Sequence, residues 1–517
     1  MNWMFRSINV AVAIVLSVAL FFSIQSSTLN FYGFSGRTYV IIFTLIAIGY
    51  LVVVTKAYGC FANIHDWAEK NQNRLFWVTM ALLFIWQLVL LASLDTHIEA
   101  DALTVMESLN NPEKFANYYS LSPNNFFYFL INYAVSRFFG TELIVFKIVN
   151  VVFIDLSVFF IRGFTKSLFD TTEIANITTL VYAYFYVLQP IFIFPYTDTY
   201  SLPFISAALY FGQKMLKNKT QGYLFAVMLG LVLGVIYFLR PSAVIFEIAF
   251  LVVFGLRFLY FRIQKRGWQI KEGLKVLTSL CAFALAILGM NYYIGNQSII
   301  HIEKNGAFPI THYLLLGSSG DPNDKNGLHG TFNYDDLRYS LSFSDKDSRF
   351  EPEMKRFISR VESRDALQNF KLYTMKFSDN VDSGILGLHR DKLWSNVANV
   401  GPKSSFKGMV QRTVYGSDVK KGDEVTWSNG FEFALQILWL FILISAIVAV
   451  YKMRDSALVA FLSLSLFGGI LFLEIFESGG TKYMIQYMPF LSILSGIGIF
   501  LRLNKLPRLS IQNGESK

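Results

Sequence analysis

The sequence predicts an all-α protein that crosses a membrane about twelve times and carries one large polar subdomain outside it. Three observations support this fold class. Of the 517 residues, 54% are hydrophobic and 17% aromatic, and only 16% are charged, against roughly 25% in soluble globular domains. The apolar residues gather in long uncharged runs, and polar residues gather in one segment, 295–432. The two cysteines give neither a disulfide framework nor a metal-ligand pattern.

Twelve apolar runs are candidates for membrane-spanning helices, at about 1.5 Å of rise per residue. They are 8–24, 38–55, 75–94, 148–161, 174–193, 199–213, 221–239, 242–256, 276–294, 433–451, 456–473 and 484–501. Residues 199–213 are short for a span and are expected to lean on the preceding segment. No convincing cleavage site follows the first run, so we expect an uncleaved span there.

A further apolar stretch, 125–139, is only about fifteen residues long, and we predict an interfacial or re-entrant helix there. The loop charges support this prediction. If this stretch does not span and the N-terminus is inside, most loop Lys and Arg residues face the cytoplasm, including those of 257–275. If it spanned, the later basic loops would face outward. The same arrangement explains the net charge of +9 without a nucleic-acid partner.

This topology divides the chain into three parts. Residues 1–294 are predicted to form a transmembrane domain with an acidic first outer loop, 95–124. Residues 295–432 are predicted to form an extracytoplasmic mixed subdomain, because their length and apolar content suit a folded unit rather than a disordered loop. Residues 433–517 supply the last membrane helices and a cytoplasmic tail.

Several polar residues are predicted to lie together at the outer face of the membrane. They are Asp95 and Asp101 after the third run, Asp198 between two runs, Arg240 at the end of another, and Glu477, Lys482 and Tyr483 between the last two. Charges at membrane depth are costly unless they pair or line a wet cavity. Their occurrence on one face therefore predicts a polar site at the level of the lipid headgroups.

The chemistry that fits such a site is transfer of a group from a lipid-linked phosphate. Arg240 and Lys482 are the cations available to stabilise the phosphate as it leaves, and Tyr483 adjoins Lys482. Asp95 and Asp101 are the candidates for the base that takes the proton from an acceptor hydroxyl. These two acids are six residues apart and do not share a helix face, so only one is expected to point into the site.

Other roles stay open for the same residues. Asp95 and Asp198 are each placed to cap a following helix, and Arg240 is placed to reach the headgroups as a lipid anchor. Glu477 and Lys482 fit a structural ion pair. At the level of function, a lipid-linked sugar transporter or flippase, a wall-polymer ligase or polymerase, and a membrane receptor remain alternatives. No Walker loop, dinucleotide fingerprint, nucleophile elbow or zinc motif is present in the sequence.

Six different short motifs follow the acidic loop along the chain. They are Ser122-Pro-Asn-Asn125, Lys147-Ile-Val-Asn150, Pro195-Tyr-Thr-Asp198-Thr, Leu239-Arg240-Pro-Ser-Ala, Pro309-Ile-Thr-His312-Tyr and Phe472-Leu-Glu-Ile-Phe-Glu477. Together they resemble the multi-spanning GT-C glycosyltransferases, and more narrowly the family 39-like, protein-mannosyltransferase-like enzymes of Gram-positive cell envelopes. The chain lacks the adjacent Asp-Glu pair that the better-known mannosyltransferases have in this loop, and two spans precede the catalytic-loop span.

The resemblance implies a GT-C fold in the cell membrane, a polyprenyl-phosphate-linked sugar donor, and inversion at the sugar carbon. It implies an extracytoplasmic acceptor, which is a cell-wall polysaccharide, a teichoic acid, a glycolipid or a protein. It also implies that an acid of the first outer loop is the base, a role that Asp95 matches by position and Asp101 by the helix pattern that follows. Asp198, Glu477 and His312 are expected to support the site. The need for a divalent cation as cofactor is left open.

Overall fold

The structure is a computed structural model, and it describes residues 2–26, 62–96, 98–169, 171–263, 270–324, 329–387, 401–402, 404–414 and 426–503. Within these ranges all the regular elements are helices, so the all-α fold class is confirmed. The predicted span 38–55 and the C-terminal tail lie outside the described residues.

The described part of the chain contains nineteen α-helices of six residues or more. They are α1 (Asn2–Ile24), α2 (Ala62–Ser93), α3 (Ala100–Ser108), α4 (Ala116–Leu121), α5 (Asn124–Phe139), α6 (Leu143–Phe169), α7 (Thr172–Ala183), α8 (Leu202–Lys217), α9 (Gly222–Leu239), α10 (Ile245–Ile263), α11 (Ile270–Asn296), α12 (Ile310–Gly317), α13 (Tyr334–Leu341), α14 (Lys346–Glu362), α15 (Ala366–Val381), α16 (Phe406–Val414), α17 (Thr426–Lys452), α18 (Ala457–Phe476) and α19 (Met488–Leu503). Nine helices in the described residues are long and apolar enough to cross a membrane: α1, α2, α6, α9, α10, α11, α17, α18 and α19, the last with its preceding turn.

Two of the predicted spans are interrupted helices in the structure, and neither counts among these nine. The run 174–193 passes through α7, a π-helical turn at Tyr184–Leu188 and a 3-10 turn that begins at Pro190. Proline lacks an N–H and therefore ends the regular hydrogen bonding of a helix. The run 199–213 begins with a separate helical turn, Thr197–Tyr200, before α8. Most residues of both runs are buried, and irregular backbone in a membrane protein is tolerated where protein surrounds it.

The apolar stretch 125–139, predicted to be a short helix, forms α5. This helix has 16 residues, and it is not among the nine helices of the described chain that are long enough to span. Its buried face includes Asn125 and Phe126 and packs against α3 and α9. The start of α5 is thereby placed beside the acidic loop.

Five helices, α12 to α16, lie wholly within the described part of the insertion, 295–432, so this subdomain is helical in the part that the structure describes. Asp345 and Asp365 each form a capping box that begins a helix. The centre of the subdomain is held by Arg349, whose buried guanidinium donates to the backbone carbonyls of Ser340 and Gly306. Because several carbonyls share this one side chain, the chain segments around it are fixed relative to one another.

Buried hydrogen bonds fasten the insertion to the membrane helices. Lys376 of α15 donates to the carbonyl oxygen of Gly317 in α12 at 2.8 Å and to that of Glu474 in α18 at 2.7 Å. Further along, the amide of Gln189 donates to the carbonyl of Gly384 and accepts from the backbone N–H of Leu386. The insertion therefore sits against the C-terminal end of α18 and the interrupted end of α7.

Candidate active site

The candidate active site lies where several helices end or break. Tyr196 and Asp198 follow the interrupted end of α7, and Arg240 is the residue directly after α9. Pro241 disfavours the helical conformation for the residue before it, so the chain turns at Arg240. Glu477 is likewise the first residue after α18. These side chains leave the regular helix surfaces and meet in the interior of the protein.

Arg240 lies between two carboxylates. Its Nη2 atom is 3.2 Å from Oδ1 of Asp198 and 3.6 Å from Oε1 of Glu477. Arg240 is 9% exposed and Asp198 is 8% exposed. Burial by itself lowers the pKa of Arg240, but the two carboxylates outweigh burial and hold this pKa above its ordinary value. Arg240 is therefore a charged residue inside the protein, and the lipid-anchor role considered from the sequence does not apply.

The two acids do not use all the hydrogens of Arg240. Neither Nε nor Nη2 makes a hydrogen bond to any described residue, although Nη2 is close enough to both acids for ion pairing. Oδ1 of Asp198 is also buried without a hydrogen-bond donor from the described chain. Most buried polar groups in proteins are satisfied, so these atoms mark a place for water, an ion or a ligand. Arg240 therefore has donors available for an anionic ligand.

Lys482 and Tyr483 border this cluster from the 3-10 segment Thr481–Tyr487, which leads into α19. The Nζ atom of Lys482 lies 4.9 Å from the ring centroid of Tyr483. Burial raises the pKa of Glu477, and the charges of Arg240 and Lys482 act in the opposite direction. Lys482 thus adds positive charge at the edge of the cluster, while the ion pair of Glu477 is made with Arg240.

Asp101 is joined to the cluster through Tyr196. Tyr118 donates to its Oδ1 atom at 3.0 Å, and Tyr196 donates to its Oδ2 atom at 3.1 Å. Asn125 links the two tyrosines, since its Nδ2 donates to the hydroxyl of Tyr118 at 2.7 Å and its Oδ1 is 3.2 Å from the hydroxyl of Tyr196. The charge of Asp101 raises the pKa of Tyr196, and the charge of Arg240 lowers it. Asp101 remains exposed, so a molecule from outside can reach it.

Tyr313 brings the insertion to the same place. It lies in α12, which packs against α18, and Glu477 follows α18 directly. Burial, together with the charges of Glu477 and Asp101, raises the pKa of Tyr313 to about 12, so its hydroxyl is protonated at neutral pH. This hydroxyl makes no hydrogen bond to any residue that the structure describes. A half-buried phenol with an unused donor therefore faces the cluster.

Comparison with known proteins places most of the chain, residues 1–499, in one family. A family profile described as "Conserved hypothetical integral membrane protein" matches residues 1–499. The chain belongs to this family. The family description and the nine long apolar helices of the described residues agree that this is a multi-pass membrane protein.

No curated protein matches this integral membrane protein. The crystal structure of ArnT from Cupriavidus metallidurans in the apo state is similar, with 14% sequence identity and a TM-score of 0.29 over 83% of this chain and 78% of that chain. At that TM-score the likeness carries no argument about fold or activity.

Asp95, the other candidate base in this integral membrane protein, lies apart from the Arg240 cluster. Its carboxylate pairs with Lys407 of α16, and both side chains are largely open to solvent. The expectation that it caps the following helix is wrong, because α3 begins at Ala100 and its N-cap residue is Glu99. The structure therefore separates the two aspartates, and only Asp101 is hydrogen-bonded into the network that leads to Arg240.

His312 is also placed away from the Arg240 cluster, in the interior of the insertion. Its Nδ1 is 2.8 Å from the hydroxyl oxygen of Ser340, and its ring stacks on Phe308 with centroids 4.1 Å apart. Burial lowers the pKa of His312 to about 4, so the ring is neutral at pH 7. The structure makes His312 a packing residue of the insertion, and it is the neighbouring Tyr313 that reaches the cluster.

The arrangement of acids does not suit a divalent cation. Among the described residues, no group of three or more His, Cys, Asp or Glu side chains is arranged to hold a metal ion. Asp198 and Glu477 both approach Arg240, whose guanidinium occupies the place between them that a cation would need. A divalent cation therefore does not fit between Asp198 and Glu477 while Arg240 is there.

The sequence predicts the charged groups of the site but not the neutral side chains around them. These are Tyr118, Asn125, Tyr196 and Tyr313. A tyrosine carries little information by itself in a chain with 27 of them. The usable signal is the motifs around them, because Asn125 lies in the first turn of a phenylalanine-rich helix and Tyr196 directly precedes the helical turn Thr197–Tyr200. Polar residues at helix breaks are better indicators of this site than composition.

Proposed function

We propose that this protein is a GT-C-type glycosyltransferase of the cell membrane, which moves a sugar from a polyprenyl-phosphate donor to an extracytoplasmic acceptor. The observation that carries the proposal is the placement of two complementary groups around Tyr196. Asp101 is an accessible carboxylate held by two hydroxyls, and Arg240 is a buried cation with unused N–H donors. A base and an anion-binding group side by side suit transfer from a phosphate to a hydroxyl.

In the proposed reaction, the acceptor hydroxyl attacks the anomeric carbon on the side opposite the phosphate, which inverts the configuration. Asp101 takes the proton of that hydroxyl. The bond between the anomeric carbon and the phosphate oxygen breaks, and its electron pair stays on the phosphate. Arg240, with Lys482 at the edge of the cluster, stabilises the negative charge that builds on the leaving phosphate. Atoms and charges balance without a further reactant.

Asp198 and Glu477 hold the guanidinium of Arg240 in place for this role. A buried arginine needs a nearby carboxylate, and here two carboxylates contact the same nitrogen, Nη2. The unused donors of Arg240 then have a fixed direction. Tyr313, from the insertion, supplies one more hydrogen-bond donor. We assign its hydroxyl to a polar group of the bound polyprenyl-phosphate sugar. Tyr483, next to Lys482, is assigned to the phosphate side of the site.

The acceptor is proposed to be a hydroxyl-bearing component of the cell envelope. Asp101 is open to solvent, and the basic loops predicted on the opposite side of the membrane support an extracytoplasmic location for it. A cell-wall polysaccharide, a teichoic acid, a glycolipid or a protein would each present such a hydroxyl. Comparing wall-polymer composition in cells with and without this protein identifies the acceptor by the one sugar that is missing.

The direct test of the proposal uses the purified full-length protein in liposomes with polyprenyl-phosphate sugars and an envelope extract as acceptor. We expect release of polyprenyl phosphate that depends on the acceptor. Arg240→Gln and Lys482→Gln should weaken donor use, whereas Arg338→Gln, which removes an exposed arginine of the insertion, should not. Movement of the intact donor between leaflets without release of polyprenyl phosphate would instead identify a flippase.

A further inference from the structure

Four side chains close a hydrogen-bonded ring around the carboxylate of Asp101. They come from four separate parts of the chain: Asp101 from α3, Tyr118 from α4, Asn125 from α5 and Tyr196 from the loop after α7. The four contacts measure 3.0, 2.7, 3.2 and 3.1 Å in order around the ring. The ring therefore joins three helices and a loop at the residue that is proposed to move a proton.

Counting hydrogens shows that the two tyrosines are not equivalent. The hydroxyl oxygen of Tyr118 accepts a hydrogen bond from Nδ2 of Asn125. Its own hydrogen has one acceptor in the ring, which is Oδ1 of Asp101. Since the amide nitrogen of Asn125 is only a donor, Tyr118 has no second place in the ring for its hydrogen. Tyr118 is thus a fixed donor to Asp101.

Tyr196 has a choice that Tyr118 lacks. Its single hydrogen faces two acceptors at nearly equal distance, Oδ2 of Asp101 at 3.1 Å and Oδ1 of Asn125 at 3.2 Å. An ionised carboxylate is the stronger acceptor, so the hydrogen points to Asp101 while Asp101 is charged. Once Oδ2 carries a proton, the hydrogen of Tyr196 turns to Asn125, and the oxygen of Tyr196 accepts from Asp101. Every hydrogen of the ring then still has an acceptor.

We propose that Asn125 is a positioning residue that makes Tyr118 a permanent donor to Asp101 and Tyr196 a switchable one, so that Oδ2 is the atom that takes the acceptor's proton. The part about the acceptor rests on the proposed function. A proton on Oδ1 would weaken the one ring acceptor of Tyr118, whereas a proton on Oδ2 lets the hydrogen of Tyr196 turn to Asn125. The proton comes from the acceptor hydroxyl, and the hydrogen of Tyr196 only rotates about its own oxygen.

The groups that surround the ring are consistent with this behaviour. Burial and the charge of Asp101 raise the pKa of Tyr118 and Tyr196 well above the usual value, so both remain protonated donors. Tyr313 approaches from α12 and Arg240 from the end of α9. The ring itself offers the moving proton no other base, since Asn125 is an amide and both tyrosines stay neutral.

The asymmetry of the ring can be tested without any activity, by thermal unfolding of the full-length protein in detergent. Asp101→Ala removes the one ring acceptor of Tyr118 but leaves Asn125 for Tyr196. Two double-mutant cycles pair Asp101→Ala with Tyr118→Phe and with Tyr196→Phe. The coupling, which is the non-additive part of the shift in Tm, should be larger in the cycle with Tyr118→Phe. Tyr133→Phe, on the same helix as Asn125, should show no coupling to Asp101. Equal couplings, or a larger one for Tyr196, would overturn the proposal.

The positioning role is tested by kinetics with the matched pair Asn125→Asp and Asn124→Asp. In Asn125→Asp a second carboxylate accepts from both tyrosines and draws them away from Asp101. We expect kcat to fall about tenfold to a hundredfold with the donor KM little changed, and Asn124→Asp to keep wild-type kinetics. A rise in KM with unchanged kcat would contradict the role. If the wild-type protein transfers no sugar, the proposed function fails, and the Tm cycle still decides whether the two tyrosines differ.

Discussion

At the residue scale, the buried charges of the site depend on one another. Arg240 is surrounded by protein and contacts Asp198 and Glu477, which are themselves shielded from water. An ionised group in such a place is stable only with a partner of opposite charge. The same three residues that shape the site therefore also affect the stability of the fold, and substitutions report on both.

Replacing Arg240 by Gln leaves two acids facing each other without a cation. Loss of one partner of a buried ion pair typically costs about 3–5 kcal/mol, so we expect a clearly lower unfolding midpoint in detergent. Arg240→Lys keeps the charge but not the planar set of donors, and should lie between the wild type and Gln. An unchanged midpoint for both variants in a thermal melt would contradict the ion-pair description.

His312 gives a pH-dependent prediction. Its pKa is lowered from 6.5 to about 4 in the folded protein by burial, so the unfolded chain binds more protons between those values. Stability should therefore fall as the pH drops from about 6.5 towards 4, and His312→Gln should lessen that fall. Thermal melts of both proteins at pH 7 and pH 5 measure this. Donor kinetics at pH 7 should stay near wild type in His312→Gln, and a large loss would return His312 to the site.

At the element scale, the site depends on the contact between α12 of the insertion and α18 of the membrane part. Gly317 at the end of α12 lies so close to α18 that an added Cβ atom would collide with the carbonyl oxygen of Ile475. Lys376 bridges the same two helices by donating to one carbonyl on each. This contact places Tyr313 next to Glu477.

Gly317→Ala should therefore separate α12 from α18. We expect a lower unfolding midpoint and a higher donor KM, because Tyr313 moves away from the cluster. The matched control is Gly289→Ala in α11, where an added Cβ would meet nothing within 4 Å. A midpoint and KM for Gly317→Ala that match those of Gly289→Ala would show that the helices can adjust and that the contact does not position the site.

The sequence predicts the elements of this protein better than their breaks. Long uncharged runs at 8–24 and 456–473 are helices in the structure because apolar length alone specifies them. The runs 174–193 and 199–213 contain as many apolar residues, yet Pro190 and the turn at Thr197–Tyr200 interrupt them. Those interruptions are stabilised by contacts with distant segments, which a local pattern does not contain.

The sequence likewise predicts the charged residues of the site better than their contacts. Asp101, Asp198, Arg240 and Glu477 are recognisable because charges are rare near apolar runs. The choice between Asp95 and Asp101 was not available from sequence, since it depends on which partner each acid meets. Asp95 meets Lys407, more than 300 residues away in the chain, and Asp101 meets Tyr196.

At the scale of the whole molecule, the account requires the insertion and Asp101 to lie outside the cell and the basic loop around 257–275 to lie inside. Single cysteines at Ser342 in the insertion and at Lys271 in the first turn of α11, within the basic segment 257–275, test this in a background with Cys60 and Cys281 replaced by Ser. Both positions are exposed in the structure. An impermeant thiol reagent on intact cells should label Ser342→Cys and leave Lys271→Cys unlabelled until the membrane is opened. The reverse pattern would contradict the topology.

The central claim is that Asp101, and not Asp95, is the base of a lipid-phosphate-dependent sugar transfer. The measurement that tests it is the rate of acceptor-dependent release of polyprenyl phosphate by purified Asp101→Asn and Asp95→Asn, two isosteric changes at acids six residues apart. Loss of a general base costs about 10²–10⁴-fold in rate, so we expect that loss in Asp101→Asn and near wild-type rates in Asp95→Asn. Full activity of Asp101→Asn, or abolished activity of Asp95→Asn alone, would contradict the account.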